Sequence, residues 1–197
     1  MNNKITRKKP KVDHIEIARQ NIDAQFDGFR ILHVSDLHNK EFGLNQSILI
    51  ETTQEIKPDI IAFTGDIYFG GRAEKSLLYL EEAAKAAPVY FVTGNHEYNY
   101  NDYIKERLIE IGVNVLDNRA EEINKDGACL SLIGVDDFLF FRDKNKFSGT
   151  IKTLAQNSQG FKILLSHKPH FVDIYENSGA DLVLSGHAHG GQIRLPF

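Results

Sequence analysis

Short apolar runs alternate with longer amphipathic stretches along the chain from about residue 29 onward. Nearly continuous apolar runs of this kind are typical of strands covered on both faces, and the amphipathic stretches between them are typical of crossover helices. The pattern therefore predicts an α/β protein with repeated βα units and a largely parallel sheet. The predicted strands cover residues 30–34, 59–63, 89–92, 162–165 and 181–184.

Three amphipathic stretches lie between or after the first of these strands. In each stretch the apolar residues recur at helical spacing, so that they share one face, and we interpret these faces as core packing. The residues that mark the faces are Leu44, Ile48, Thr52 and Ile56, then Leu77, Leu80, Ala84 and Ala87, and then Ile104, Leu108 and Ile111.

Residues 113–135 have a different pattern. Two apolar runs, 113–116 and 128–135, predict strands, and the polar stretch 117–127 separates them. This part is expected to be a hairpin-like insertion or a piece of a second sheet. Near the start of the chain, the alternation along residues 12–17 predicts an edge strand.

The composition limits the class of protein and the kind of metal site. Of the 197 residues 42% are apolar and 25% are charged, and no uncharged apolar run approaches the roughly 18 to 20 residues that span a bilayer. Cys129 is the only cysteine, so an intramolecular disulfide and a cysteine-rich zinc cage are both excluded. Any metal must be bound by His, Asp, Glu or Asn.

The charge is distributed unevenly. The formal net charge is −4, but residues 1–11 carry five basic and no acidic side chains, which leaves −9 on the rest. An acidic body argues against nucleic-acid backbone binding, so no specific nucleic-acid partner is expected. We predict a disordered basic tail over 1–11 and a single domain over 12–197, with weak attraction of the tail to an anionic membrane surface as the alternative.

The start of the chain lacks the apolar region of a secretory signal. The default expectation is therefore a cytoplasmic protein, and the basic residues also allow peripheral attachment to a membrane.

Each of the five apolar runs is followed by a small or turn-forming residue and then by a residue type that binds metals. Ligands of open α/β sheets bind outside the carboxyl ends of the strands, so these ends would converge on one crevice. The segments are Ser35-Asp36-Leu37-His38, Thr64-Gly65-Asp66, Thr93-Gly94-Asn95-His96-Glu97, Ser166-His167 and Ser185-Gly186-His187-Ala188-His189.

The residue types in these segments indicate a metal site. Imidazole nitrogens with carboxylate and amide oxygens suit Zn, Mn or Fe, and the number of ligands is too large for one tetrahedral ion. Each segment alone is a weak signal, but five of the eight histidines lie in them. Two ions that share a ligand would need a bridging carboxylate, either Asp36 or Asp66.

Together the segments resemble the calcineurin-like metallophosphoesterase superfamily. The pattern of that superfamily is Asp-x-His, Gly-Asp, Gly-Asn-His-Glu or Gly-Asn-His-Asp, a lone His, and Gly-His-x-His, and every element is present here in order. The residues around the motifs, at 26–30 and 190–196, are similar to those of a branch of small bacterial phosphodiesterases that are often attached to membrane or wall.

The resemblance implies a four-layer α/β/β/α sandwich, with two mixed sheets flanked by helices. It also implies two divalent ions, drawn from Mn, Fe, Zn or Ni, with Asp66 as the bridge. The implied ligands are Asp36, His38, Asp66 and His189 for one ion and Asp66, Asn95, His167 and His187 for the other.

The activity implied by the resemblance is that of a phosphodiesterase on a small-molecule substrate. A hydroxide that bridges the metals would attack phosphorus in line, with Asp66 and Asn95 acting through the metals. His96 would lie beside the phosphate as general acid or as stabiliser of transition-state charge. Arg194 is a candidate clamp for a substrate phosphate or carboxylate, with a plain surface arginine as the alternative. Glu97 and Tyr98 are expected at the rim of the site or behind its ligands.

Two other functions remain open from the sequence. The same centre could support a phosphomonoesterase on nucleotides or proteins, and a non-catalytic metal-binding interaction module is also possible. The superfamily normally continues beyond the last motif, whereas this chain stops eight residues after His189. The resemblance thus implies a C-terminally truncated domain, an incomplete second sheet, and self-association at its exposed edge.

Overall fold

Two four-stranded sheets form the centre of the protein in the computed structural model, which describes residues 5–189 apart from the side chain of Asn101. The first sheet consists of β1 (Ile31–Val34), β2 (Ile60–Phe63), β3 (Val89–Phe91) and β4 (Asn114–Val115). Its strands lie in the order in which they follow one another along the chain, and all of them are parallel. The carboxyl ends of β1, β2 and β3 therefore point to the same edge.

The second sheet is mixed. It consists of β5 (Arg119–Lys125), β6 (Ala128–Gly134), β7 (Phe161–Leu165) and β8 (Leu182–Leu184). β5 and β6 form an antiparallel hairpin, whereas β6, β7 and β8 are parallel. The hairpin turns through Asp126 and Gly127, which both have positive φ, as two-residue hairpin loops of the Asp-Gly kind require.

Helices connect the parallel strands. They are α1 (Ser47–Ile56), α2 (Glu74–Ala86), α3 (Asn101–Glu110), α4 (Phe138–Phe141), α5 (Lys144–Gln156) and α6 (Val172–Glu176). Each of α1 to α3 links two neighbouring strands of the first sheet, the crossover that parallel pairing needs. The longest helices have 13 residues, and within residues 5–189 no helix combines the length and the apolar character needed to cross a membrane.

Three apolar clusters hold the layers together. Along β2, Ile61 and Phe63 face the helices α1 to α3, whereas Ile60 and Ala62 face the second sheet, because side chains alternate along a strand. On the far side of the second sheet, Leu164 packs with the residues of α5 and α6. The order of layers is helix, sheet, sheet, helix, which confirms the predicted four-layer fold. Of the two sheets expected to be mixed, only the second is mixed, and the first is parallel throughout.

The predicted strands of the sheets agree with the structure to within one residue at most ends, but the region 113–135 differs. The run 113–116 contains β4, which extends the first sheet and is not one arm of a hairpin. The polar stretch 117–127 is itself mostly strand β5, whose residues alternate between exposed and half-buried at the edge of the second sheet. The prediction of an edge strand over 12–17 is wrong, since these residues are exposed and form no strand.

Within the described residues, β1 and β8 each lie at the edge of a sheet. β1 is an edge strand, and His33 on it is exposed while its Nε2 lies 2.8 Å from Thr64 Oγ1, so His33 is hydrogen-bonded but not buried in the core. Among residues 5–189, β8 pairs only with β7, and its three residues are half-buried. Self-association at that edge stays a prediction.

In its described part the basic tail contacts the folded body at Thr6 and at Lys9, whose Nζ forms an ion pair with the Glu55 carboxylate. The backbone N–H of Thr6 donates to Glu41 O, and Gly43 N–H donates to Thr6 O, both at 2.8 Å. Thr6 thereby forms a parallel bridge with Phe42. From residue 5 onward the chain therefore begins to lie against the domain, and its predicted attraction to a membrane surface stays a prediction.

Candidate metal centre

The side chains that the sequence assigns to metal binding meet where the carboxyl ends of five strands come together. They follow β1, β2 and β3 in the first sheet and β7 and β8 in the second, and the sheets pack with these ends side by side. Three groups of possible ligand atoms result: Asp36 with His38 and His189, Asp66 with His167 and His187, and Asp66 with His38 and His96. The first two of these groups each have members from both sheets and, together with Asn95, contain the seven predicted ligands. The seven residues are Asp36, His38, Asp66, Asn95, His167, His187 and His189.

The first group lies at the ends of β1 and β8. His189 Nε2 is 3.3 Å from Asp36 Oδ1, and His38 Nε2 is 3.8 Å from the same oxygen. The two imidazole nitrogens, Nε2 of His38 and Nε2 of His189, are 3.2 Å apart and their rings are stacked. One carboxylate oxygen and two nitrogens therefore face a common point.

The second group lies deeper, at the ends of β2, β3, β7 and β8. His167 is fully buried, and its Nε2 is 3.2 Å from Asp66 Oδ2, from Asn95 Oδ1 and from His187 Nδ1. A carboxylate oxygen, an amide oxygen and two imidazole nitrogens thus surround one position.

Asp66 joins the two groups. Its Oδ2 lies 3.2 Å from Nε2 of His167 in one group and 3.7 Å from Nε2 of His38 in the other. Its Oδ1 accepts a hydrogen bond of 2.9 Å from the backbone N–H of His96, which fixes the carboxylate plane. Burial opposes the ionisation of Asp66. The hydrogen bond from His167 and the charge of His167 nevertheless hold the pKa of Asp66 below its usual value.

The donor set fits divalent metal ions. With metal–ligand bonds of about 2.1 Å, neighbouring ligands of a tetrahedral ion are about 3.4 Å apart. The separations given above run from 3.2 to 3.8 Å, and all His and Asp ligand atoms within a group lie within 4.8 Å of one another. Nδ1 of His167 lies 2.7 Å from Thr64 O, and Nδ1 of His38 lies 3.0 Å from Tyr68 O. Because a carbonyl oxygen only accepts, both Nδ1 atoms carry the proton and both Nε2 lone pairs are free for a metal.

The backbone of the ligands is strained. Five of them adopt positive φ angles, a region that residues other than glycine seldom enter. The angles are 54° at Asp36, 48° at His38, 61° at Asp66, 64° at His187 and 47° at His189. Such conformations cost roughly 1–3 kcal/mol each and concentrate at functional sites. These five ligands follow β1, β2 and β8, whereas seven further residues other than glycine have positive φ and are not ligands.

At two positions of the motifs only glycine fits, because neighbouring atoms occupy the place that a Cβ would take. A Cβ on Gly94 would lie 2.3 Å from Oδ1 of Asp66, and a Cβ on Gly186 would lie 1.8 Å from Oγ of Ser35 and 2.6 Å from Oδ2 of Asp36. These contacts explain why glycine precedes Asn95 and His187 along the chain.

Glu97 lies behind the ligands and not at the rim. Its side chain is fully buried and accepts four backbone N–H groups, those of Asp66 (2.8 Å) and Gly94 (2.6 Å) on Oε2 and those of Ile67 (3.0 Å) and Tyr68 (3.4 Å) on Oε1. Burial and the charge of Asp66 raise the pKa of Glu97 to about 7, while the N–H groups favour its charged form. Glu97 thus fastens the turn that carries Asp66.

The sequence analysis missed a second positioning device, which joins the two sheets. Thr93 Oγ1 donates to Asp136 Oδ1 at 2.8 Å and accepts from the backbone N–H of Asp137 at 3.0 Å. Lys105 Nζ lies 3.1 Å from Asp136 Oδ2, and Lys168 Nζ lies 3.4 Å from Asp137 Oδ1. Both aspartates follow β6, whose carboxyl end lies beside that of β7. Because ligands of α/β sheets bind outside the carboxyl ends of the strands, their position after β6 was the signal that could have identified them.

The remaining predicted residues lie at the mouth of the centre or outside the described part. The His96 side chain is 42% exposed, its Nε2 is 3.9 Å from Asp66 Oδ2, and its ring meets that of His38 edge to face. His96 therefore lies within reach of the centre, with its Nε2 farther from Asp66 Oδ2 than Nε2 of His167 at 3.2 Å and of His38 at 3.7 Å. Tyr98 lies next to the Arg142 guanidinium and packs on Phe140. Arg194 lies outside the described residues.

The four-layer α/β/β/α fold and the His- and Asp-rich groups at its strand ends define an α/β protein with a candidate metal centre. The profile of the family described as calcineurin-like phosphoesterase matches residues 29–191. The chain belongs to this family of metal-dependent phosphoesterases.

Known proteins support this assignment. Over 96% of its length the chain is 32% identical to the uncharacterized metallophosphoesterase YkoQ of Bacillus subtilis (strain 168), and it spans 71% of YkoQ. It is 29% identical over 86% of its length to the phosphodiesterase YaeI of Escherichia coli (strain K12), and it spans 63% of YaeI, less than two thirds. The fold is similar to that of the phosphopantetheinyl hydrolase PptH of Mycobacterium tuberculosis, with a TM-score of 0.56 at 16% identity over 85% of each chain.

Replacing Glu97 by Gln tests its role as the fastener of the Asp66 turn. The amide has one acceptor oxygen, so its NH₂ group would face either the N–H of Asp66 or that of Ile67. At pH 8 we expect Glu97→Gln to lower the free energy of unfolding by roughly 2–4 kcal/mol, measured by urea denaturation. The exposed Glu106→Gln is the control and should change it by less than about 0.5 kcal/mol. Equal stability of the two variants would contradict the role of Glu97.

Proposed function

We propose that the chain is a dinuclear metal-dependent phosphodiesterase that hydrolyses small-molecule phosphodiesters. The observation that carries the proposal is the position of Asp66, whose Oδ2 faces ligand atoms of both groups. A carboxylate in this position can bind two cations at once and offset their mutual repulsion, whereas a neutral imidazole cannot.

The two groups divide the ligands between two ions. Each ion has four protein ligands, Asp66 being common to both, and the donor types suit Mn, Fe, Zn or Ni. The assignment is Asp36, His38, Asp66 and His189 for the first ion and Asp66, Asn95, His167 and His187 for the second.

When bound, a pair of divalent ions supplies Lewis acidity to the phosphate oxygens and lowers the pKa of an attacking water. The chain itself orients the ligands and handles the proton. His96 is suited to this second task, because its imidazole is exposed at the mouth, where a substrate enters, and Asp66 lies 3.9 Å behind it. In the proposed reaction His96 donates a proton to the leaving oxygen, or stabilises the charge that develops there.

We favour a phosphodiester over a phosphomonoester as the substrate because one relative, YaeI, is a phosphodiesterase. Hydrolysis of a phosphomonoester and metal binding without catalysis are the two alternatives. Both are outcomes of the experiment below. Contact of Arg194 with a substrate phosphate is a further part of the proposal.

The proposal is tested with metal-stripped protein that is resupplied with Mn²⁺, Zn²⁺, Fe²⁺ or Ni²⁺. Hydrolysis of bis(p-nitrophenyl) phosphate and of p-nitrophenyl phosphate is measured beside the metal content. We expect metal to restore cleavage of the diester, with a higher kcat/KM than for the monoester. A preference for the monoester would favour a phosphomonoesterase, and bound metal without cleavage of either ester would favour an interaction module.

Replacing His96 by Ala tests its proposed role in proton transfer. We expect the metal content to stay unchanged and kcat/KM to fall about a hundredfold for diesters with alkyl leaving groups. The loss should be smaller for p-nitrophenyl esters, because that leaving group needs little protonation. His14→Ala, at an exposed position outside the centre, is the matched control. If His96→Ala instead empties the site of metal, His96 is a ligand and the role is wrong.

A further inference from the structure

A cavity of about 320 Å³ opens beside the metal centre. Asn95 and His96 form its wall on the side of the centre, so the cavity is continuous with the place where a phosphate would bind. Its volume lies near the lower limit of ligand pockets, about 300–1,000 Å³. It has room for one ring-sized group and not for a long chain.

The wall away from the centre is aromatic. Tyr100 is 39% exposed, and its ring stacks on that of the buried Tyr68, with centroids 4.5 Å apart and an interplanar angle of 21°. The backbone of Tyr100 is fixed as well, because its N–H donates to Glu97 O at 2.9 Å. Tyr100 therefore presents an aromatic surface that is held in place from behind.

A glycine turn closes the cavity opposite this ring. Phe69 and Arg72 exchange two backbone hydrogen bonds around Gly70 and Gly71, which have φ angles of 56° and 77°. A Cβ on Gly71 would lie only 3.1 Å from the hydroxyl oxygen of Tyr100. A side chain at position 71 would therefore crowd the Tyr100 hydroxyl, whereas glycine leaves it free of that contact.

The lining of the cavity is neutral apart from His96. The described residues that line it include no carboxylate, lysine or arginine, and their polar atoms are amides, phenols and peptide groups. Phe69, next to the lining residue Gly70 in the chain, is 45% exposed, and its ring lies 6.5 Å from that of His38. This environment favours an uncharged ring over a second phosphate or an ionised group.

We infer that this cavity binds a substituent on the substrate phosphorus, that the substituent is an uncharged ring, and that Tyr100 is the residue that selects it. The inference rests on the proposed function, because the phosphate of the same substrate would lie on the metal centre. On hydrolysis the oxygen of water bonds to phosphorus, the ester P–O bond breaks, and the leaving oxygen departs as an alcohol with a proton. The ring stays against Tyr100 while this exchange takes place beside it.

The experiment compares two phosphonates that differ only in the ring. Dissociation constants of phenylphosphonate and methylphosphonate are measured by calorimetry on the Mn²⁺-loaded protein, so the readout does not depend on turnover. We expect phenylphosphonate to bind about tenfold more tightly, the increment that a stacked ring contributes. Tyr100→Ala should abolish most of this preference, and Tyr100→Phe should retain it.

Tyr103→Ala is the matched control. Tyr103 is an exposed tyrosine in the first turn of α3, does not line the cavity, and should leave the preference unchanged. Equal binding of both phosphonates to the wild type, or an unchanged preference in Tyr100→Ala, would overturn the inference and leave the proposed function intact. If neither phosphonate binds the metal-loaded protein, the inference and the proposed function both fail.

Discussion

The placement of the Asp66 carboxylate between two groups of metal ligands is the constraint on which the rest of the structure depends. Its oxygen Oδ2 faces histidines that come from different sheets, His38 after β1 and His167 after β7. The centre can therefore form only if the two sheets pack with their strand ends in register. Glu97 holds the Asp66 turn through backbone N–H groups, and Thr93 links the sheets through its bonds with Asp136.

This arrangement is costly for the folded state. Asp66 and Glu97 are both buried carboxyl groups, and five ligands adopt backbone angles that residues other than glycine seldom take. The hydrogen bonds to Glu97 offset part of the cost, and bound cations would offset more by binding only the folded chain. Strain of this kind concentrates at functional sites, and five of the residues that carry it are the proposed metal ligands.

The parallel strands and the convergence of the ligands followed from short-range signals in the sequence, whereas the four-layer arrangement was implied by the resemblance to the superfamily. Buried parallel strands read as apolar runs, and the side chains after them must share an edge. β5 was missed because an edge strand with one solvated face looks like a polar loop, as in Arg119–Lys125. The edge strand expected over residues 12–17 failed since alternation alone does not supply a partner. The function of Glu97 depends on backbone N–H groups gathered by the tertiary fold, which a sequence does not display.

The most direct test of the account is the number of metal ions bound per chain with and without the Asp66 carboxylate. Wild-type protein and Asp66→Ala are loaded with Mn²⁺, freed of excess metal and measured by elemental analysis, with circular dichroism as the check on folding. The account predicts two ions per chain in the wild type and the loss of both in the folded variant. A single ion in the wild type, or a folded variant that keeps one or both ions, would contradict the shared position of Asp66.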